Sequence, residues 1–144
     1  MSANVPADAA KTVIVGENGQ GPYTNSVAAR GHALIADEPA DLGGADLGPS
    51  PYEYVLAALG ACTSMTLRMY ANQKKWDVRD IAVRLTHHKE VLADQSKKDV
   101  ITRQISFSGH LDDAQKARLM EIADKCPVHK TLSGGVQIKS VFGG

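Results

Sequence analysis

The chain has 144 residues, 16 Lys plus Arg against 16 Asp plus Glu, and a formal net charge of zero. A duplex-binding protein carries a basic excess to neutralise phosphates, and none is present here. Hydrophobic residues make up 43% and cysteines number two, which suits a packed globule and excludes a disulfide-stapled scaffold.

The segment Met1 to Lys11 holds small residues and Asp8 without a long apolar run, so it reads as a flexible leader 1–11 rather than a signal peptide. A single domain over 12–144 is expected to follow. The longest uncharged stretch, Tyr54 to Leu67, includes Thr63, Ser64 and Thr66 and falls short of the ~20 apolar residues a bilayer requires. These features predict a soluble, cytoplasmic protein with both thiols reduced at rest, and no membrane or nucleic-acid partner.

Thr12 to Val15 is a β-branched run closed by Gly16, and Asn18-Gly19 is a turn signal. Tyr23 to Ala29 and His32 to Ala36 read as further strands of a meander. Asp37 to Ser50 is rich in proline, glycine and acidic residues, has no period, and reads as a long loop. Residues 51–74 carry the strongest helix pattern. Ser50 suits the cap, Pro51 suits the first turn, and the interior is rich in Ala, Leu and Met.

The period then becomes two. Ile81, Val83 and Leu85 alternate with Ala82, Arg84 and Thr86, and Ile101, Ile105 and Phe107 share one face of the next strand. A polar hairpin loop, Ala93 to Asp99, joins them. Asp112 with Gln115 forms a capping-box pattern ahead of a helix bearing Leu119, Ile122 and Cys126, which Pro127 breaks. Val136, Ile138 and Phe142 predict a last strand. The order β-β-β-α-β-β-α-β is an α+β pattern.

Two residues stand out chemically. Cys62 falls mid-helix on a stripe with Val55, Leu59, Met65, Thr66 and Met69. That placement fits a small core residue as well as a reactive one. Cys126 precedes Pro127, so it is expected at a helix start, where unpaired N–H groups lower a thiol's pKa. His129 lies three residues on. Both cysteines sit on apolar faces, so both are expected to point into one core.

On the other helix face Glu53, Ala57, Gly60, Ser64 and Arg68 leave room for a close backbone. A helix this apolar all round needs cover from more than one small sheet, which points to a homodimer. Glu53 stands ~13 Å along the axis from Cys62 and half a turn around, so it reaches that thiol only from a second chain or a bent helix start. Arg30, between two short strands, is a candidate cation for a thiolate. No CxxC or HxxH spacing supports a zinc site built on Cys62, Cys126 and His129.

Taken together, Ala36-Asp37-Glu38-Pro39, Gly43-Gly44, Gly48-Pro49-Ser50-Pro51-Tyr52-Glu53, Ala57-Ala58-Leu59-Gly60-Ala61-Cys62-Thr63-Ser64-Met65-Thr66 and Cys126-Pro127-Val128-His129-Lys130-Thr131-Leu132 resemble the OsmC/Ohr superfamily over about residues 12 to 142. The resemblance implies an intertwined α+β homodimer with antiparallel sheets wrapped around long central helices. It implies reduction of organic hydroperoxides, in some members hydrogen peroxide, by thiols with no metal, haem or other cofactor. By motif position Cys62 matches the peroxidatic cysteine and Cys126 the resolving one. Arg30 matches the active-site arginine of the N-terminal strands, and Glu53 the glutamate that precedes the helix cysteine. Glu53 is one residue nearer that cysteine than in the hydroperoxide reductases, where Tyr52 would stand, and so follows the broader OsmC-like branch. The implied reductant is an external dithiol such as a lipoylated protein. Two other readings compete: a small-molecule binding protein with weak or no peroxidase activity, and a Cys126–His129 hydrolase.

Overall fold

The computed structural model describes residues 11–144. The expected leader thus lies outside the described residues but for Lys11. The chain divides into two compact units, one ending at Tyr54 and the other running from Val55 to Gly144.

The first unit is an antiparallel meander of β1 (Ile14–Glu17), β2 (Asn25–Ala29) and β3 (His32–Ala36). Its β2–β3 connection is the pair Arg30-Gly31, with φ of 54° and 92°. Two left-handed residues in a two-residue loop match the right-handed twist of the flanking strands, and the register Ala29↔His32 closes around them. The loop after β3 contains a short 3-10 turn, Ala40–Leu42. Asp37, nearly buried, organises it by accepting from Thr24 Oγ1 (2.8 Å) and from the N–H groups of Glu38 (2.7 Å) and Leu47 (3.2 Å). Burial pushes the Asp37 carboxyl up, and these hydrogen bonds outweigh that and hold it below the usual range.

Helix α1 spans Pro51–Lys74, the residues its sequence predicts. Ser50 and Glu53 form a reciprocal cap: the Ser50 N–H donates to Glu53 Oε1 (2.9 Å) and the Glu53 N–H to Ser50 Oγ (3.4 Å). The second unit continues with a long hairpin, β4 (Asp77–Val91) and β5 (Lys97–His110), then α2 (Asp113–Ala123) and α3 (Pro127–Gly134). A bulge interrupts the hairpin near Val78. Opposite it Gly109 has φ 119°, and any side chain there would run into the Asp77 carbonyl. Asp112 and Gln115 form the expected capping box of α2.

The core of this unit gathers Leu67, Ala71, Val78, Leu119, Ile122 and Ala123, flanked by Trp76, Ile105 and Phe107. Tyr70 meets Trp76 edge to face at 5.5 Å between ring centres, and its hydroxyl accepts from Arg118 Nε at 3.1 Å.

Three expectations need correction. The buried stripe of α1 is Leu59, Gly60, Thr63, Leu67 and Ala71, whereas Met65 and Met69 are 60% and 70% exposed. The buried stripe lies one step around the helix from the one its sequence predicts, because Gly and Thr carry little apolar signal. Gly60 is buried because Leu85 of β4 covers it; a Cβ there would lie 2.7 Å from Leu85 Cδ1. Second, α2 stops at Ala123, short of Cys126, which opens a separate helix as Pro127 predicts. Third, Val136 to Phe142 forms no strand and pairs with none among the described residues. Phe142 is 94% exposed. No helix among the described residues is long and apolar enough to cross a membrane.

Candidate functional site

Cys62 lies in the middle of α1, where the helix engages its own backbone groups and so offers the thiol no free N–H of its own. Cys126 is the N-cap of α3, with Pro127 at the first helical position. Its Sγ accepts the His129 backbone N–H at 3.5 Å. The thiol therefore takes the place that a serine or aspartate oxygen holds in an ordinary cap.

The fold brings these two cysteines together. Both are free thiols and their sulfurs are in hydrogen-bonding contact. Cys126 is wholly buried and Cys62 is half-buried. Their acidities move apart. Burial pushes the Cys62 thiol up, and the neighbouring Cys126 adds to that; contacts with the Val128 N–H and Thr66 offset only part. Burial also pushes Cys126 up, but donors from Cys62, the His129 and Val128 N–H groups and Thr63 outweigh it and hold the thiol below its ordinary range. Of the pair, Cys126 is the stronger acid.

A third side chain sits against the pair. Arg103 of β5 donates from Nη1 to Thr63 Oγ1 (2.9 Å) and to the Ala123 carbonyl (3.1 Å). From Nη2 it donates to Asp124 Oδ1 (2.9 Å) and His129 Nδ1 (3.2 Å). A guanidinium only donates, so His129 Nδ1 accepts and the ring hydrogen belongs on Nε2. That arrangement ties the imidazole to Arg103 rather than to the Cys126 sulfur, and a Cys126–His129 dyad gains no support from it.

Arg103 was missed by reading the sequence, yet its signal was there. It falls between Ile101 and Ile105 at the inward phase of a period-two strand, where an arginine is out of place unless it is paired.

Arg30 and Glu53, the other two expected site residues, belong to the first unit. Arg30 is exposed at the tip of the β2–β3 hairpin. Glu53 spends its carboxylate on the α1 cap, and the Ser50 N–H and hydroxyl hold it below the usual range. Among the described residues, no cluster of three or more His, Cys, Asp or Glu side chains is placed to hold a metal ion.

Comparison with solved structures finds the same architecture in several bacterial proteins. An OsmC-like protein from Mycoplasma pneumoniae superimposes with a TM-score of 0.74 at 17% identity, covering 88% of this chain and 89% of that one. An organic hydroperoxide resistance protein OsmC from Legionella pneumophila gives 0.67 at 18% identity, covering 90% and 93%. An organic hydroperoxide resistance protein from Elizabethkingia anophelis, with thiocyanate bound, gives 0.64 at 16%, covering 87% and 89%. At these identities the likeness concerns the fold. No curated protein matches the chain. The family model described as OsmC-like protein matches residues 43–141, a span that holds both cysteines, Arg103 and the whole of α1. The chain belongs to the OsmC-like protein family.

Proposed function

We propose that the protein is a cysteine-based peroxidase that reduces organic hydroperoxides in oxidative-stress defence in the cytoplasm. The observation that carries this reading is the contact of two free thiols whose acidities are driven in opposite directions. The family assignment and the hydroperoxide resistance proteins that share the fold support it.

The half-buried Cys62 is the sulfur a peroxide can reach. As Cys62 attacks the terminal oxygen of the hydroperoxide, its proton passes to the Cys126 thiolate. The O–O bond breaks, and the alkoxide takes up a proton and leaves as the alcohol. Cys62 becomes a sulfenic acid. The Cys126 thiol condenses with it, a disulfide forms and water departs. An external dithiol, of the lipoylated type, restores both thiols by exchange and is itself oxidised to a disulfide. Arg30 is the cation proposed to favour negative charge on Cys62 during attack, and Glu53 the carboxylate proposed to orient that arginine.

A homodimer belongs to the same proposal. Met65 and Met69 leave an apolar stripe of α1 uncovered, and Val136, Ile138, Val141 and Phe142 stand exposed on a segment that pairs with no strand among the described residues. A second copy would cover the first and pair the second.

The test is consumption of cumene hydroperoxide and hydrogen peroxide with a dithiol reductant, by the wild type and by Cys62→Ser. Faster turnover of the organic peroxide, lost in the variant, is expected. Equal rates in the two proteins overturn the assignment. No turnover, with a small molecule retained in native mass spectrometry, moves the protein to the binding reading.

A further inference from the structure

Arg103 occupies an inward position of β5, in the row Val100/Ile101, Arg103, Ile105 and Phe107. Its side chain is only 12% exposed, against 67% for its ion-pair partner Asp124. Burying a guanidinium is costly unless every N–H finds an acceptor. Here the acceptors come from three helices: Thr63 of α1, Ala123 and Asp124 at the end of α2, and His129 of α3.

Two of those acceptors also touch one sulfur. The His129 backbone N–H donates to Cys126 Sγ, and the Thr63 hydroxyl contacts the same atom. Thr63 Oγ1 lies 2.7 Å from the Leu59 carbonyl as well, so its single hydrogen has two destinations. It points to Leu59 when Cys126 is a thiol and to the sulfur when Cys126 is a thiolate. Donation from Arg103 into the Thr63 oxygen polarises the hydroxyl and strengthens it as a donor.

We infer that Arg103 is a positioning residue of the thiol pair, holding Thr63 and His129 in place as donors to the Cys126 sulfur. The inference rests on the reading of Cys62 and Cys126 as a reacting pair. Arg103 touches neither sulfur in this arrangement and acts through the groups that do. Lysine is a poor substitute, because a single ammonium cannot hold the four acceptors in one plane.

The experiment is a pH titration of thiolate ultraviolet absorbance on the full reduced chain. It compares wild type, Arg103→Gln, Arg103→Lys and Thr63→Val, each also in a Cys62→Ser background so that the signal belongs to Cys126. The charged and titratable groups around that sulfur are Arg103 on β5, Cys62 on α1, Asp124 beyond α2 and His129 on α3, and all but the substituted one are kept. Arg103→Gln is expected to move the Cys126 titration upward by about one pH unit, a tenfold loss of thiolate below the midpoint. Arg103→Lys recovers part of the shift, and Thr63→Val moves it in the same direction. Unchanged titrations in Arg103→Gln and Thr63→Val overturn the inference. If Arg103→Gln does not fold, Thr63→Val alone decides. Thiolate is counted whether or not peroxide is consumed. A shifted titration with no peroxide turnover therefore removes the peroxidase reading and leaves the role of Arg103 standing, and the reverse result does the opposite.

Discussion

Cys62 and Cys126 share one contact and differ in what the backbone offers them. Cys62 hangs from the middle of α1, where each amide is engaged along the helix, and its thiol is pushed up. Cys126 opens α3, where amides are unpaired, and its thiol is pulled down despite complete burial. Burial by itself would have made Cys126 the weaker acid of the two. The difference shows that position on a helix can outweigh desolvation when several donors converge on one sulfur. The more accessible thiol is thus the weaker acid, and the stronger acid is the buried one.

The comparison breaks most sharply at Cys62. Cys62→Ser should lower hydroperoxide turnover by about a thousandfold or more, because the one remaining thiol, Cys126, is buried. Steady-state peroxide consumption measures it. Cys126→Ser should cost less, on the order of a hundredfold at steady state, and should leave a different product. Without a resolving thiol the Cys62 sulfenate goes on to sulfinic acid, which intact-protein mass spectrometry reads directly. If the two variants behave alike, the division between attacking and resolving sulfur is wrong.

Acidity sharpens the same contrast. The pKa of Cys126 in the folded protein is lowered from the ordinary thiol value by the donors that converge on its sulfur. Below the folded value Cys126 is protonated and cannot accept the proton of Cys62. The rate of peroxide reduction should therefore fall about tenfold per unit as pH drops through that value, and level off above it. Stopped-flow rates across pH, compared with the thiolate titration, check that the two midpoints coincide. A rate that follows the elevated Cys62 value instead would mean that Cys62 ionises unaided.

Much of this was legible beforehand. The bounds of α1 follow from Ser50, Pro51 and an Ala-rich interior, and the α2 cap from Asp112 and Gln115, because caps act within one turn of chain. Cys126 at a helix start followed from Pro127. The meeting of the thiols was not legible, since it depends on how α1 and α3 pack across a long sequence gap. Arg103 was overlooked because an inward arginine reads as noise until its acceptors on three helices are seen. The Val136 to Phe142 alternation names a strand without naming its neighbour, and no strand among the described residues takes that place.

Gly60 offers the smallest and most discriminating change. It lies on the buried face of α1, two residues before Cys62, against Leu85 of β4. Leu85 is the cross-strand partner of Arg103. Gly60→Ala gains roughly 1 kcal/mol of helix propensity. It also sets a methyl 2.7 Å from Leu85 Cδ1, the free end of a side chain able to rotate away. The two effects nearly cancel, so chemical denaturation should report a net change within about 1 kcal/mol. Displacing Leu85 nevertheless disturbs the strand position beside Arg103 while leaving both cysteines untouched. Disulfide formation after a single peroxide turnover should slow about two- to threefold, a loss of under 1 kcal/mol in the barrier. The initial attack by Cys62 should slow by the same factor only if the Cys126 thiolate is its proton acceptor. A variant that slows the disulfide step and spares the attack would separate the two roles of Cys126, and would show that the N-terminus of α3 tunes resolution alone.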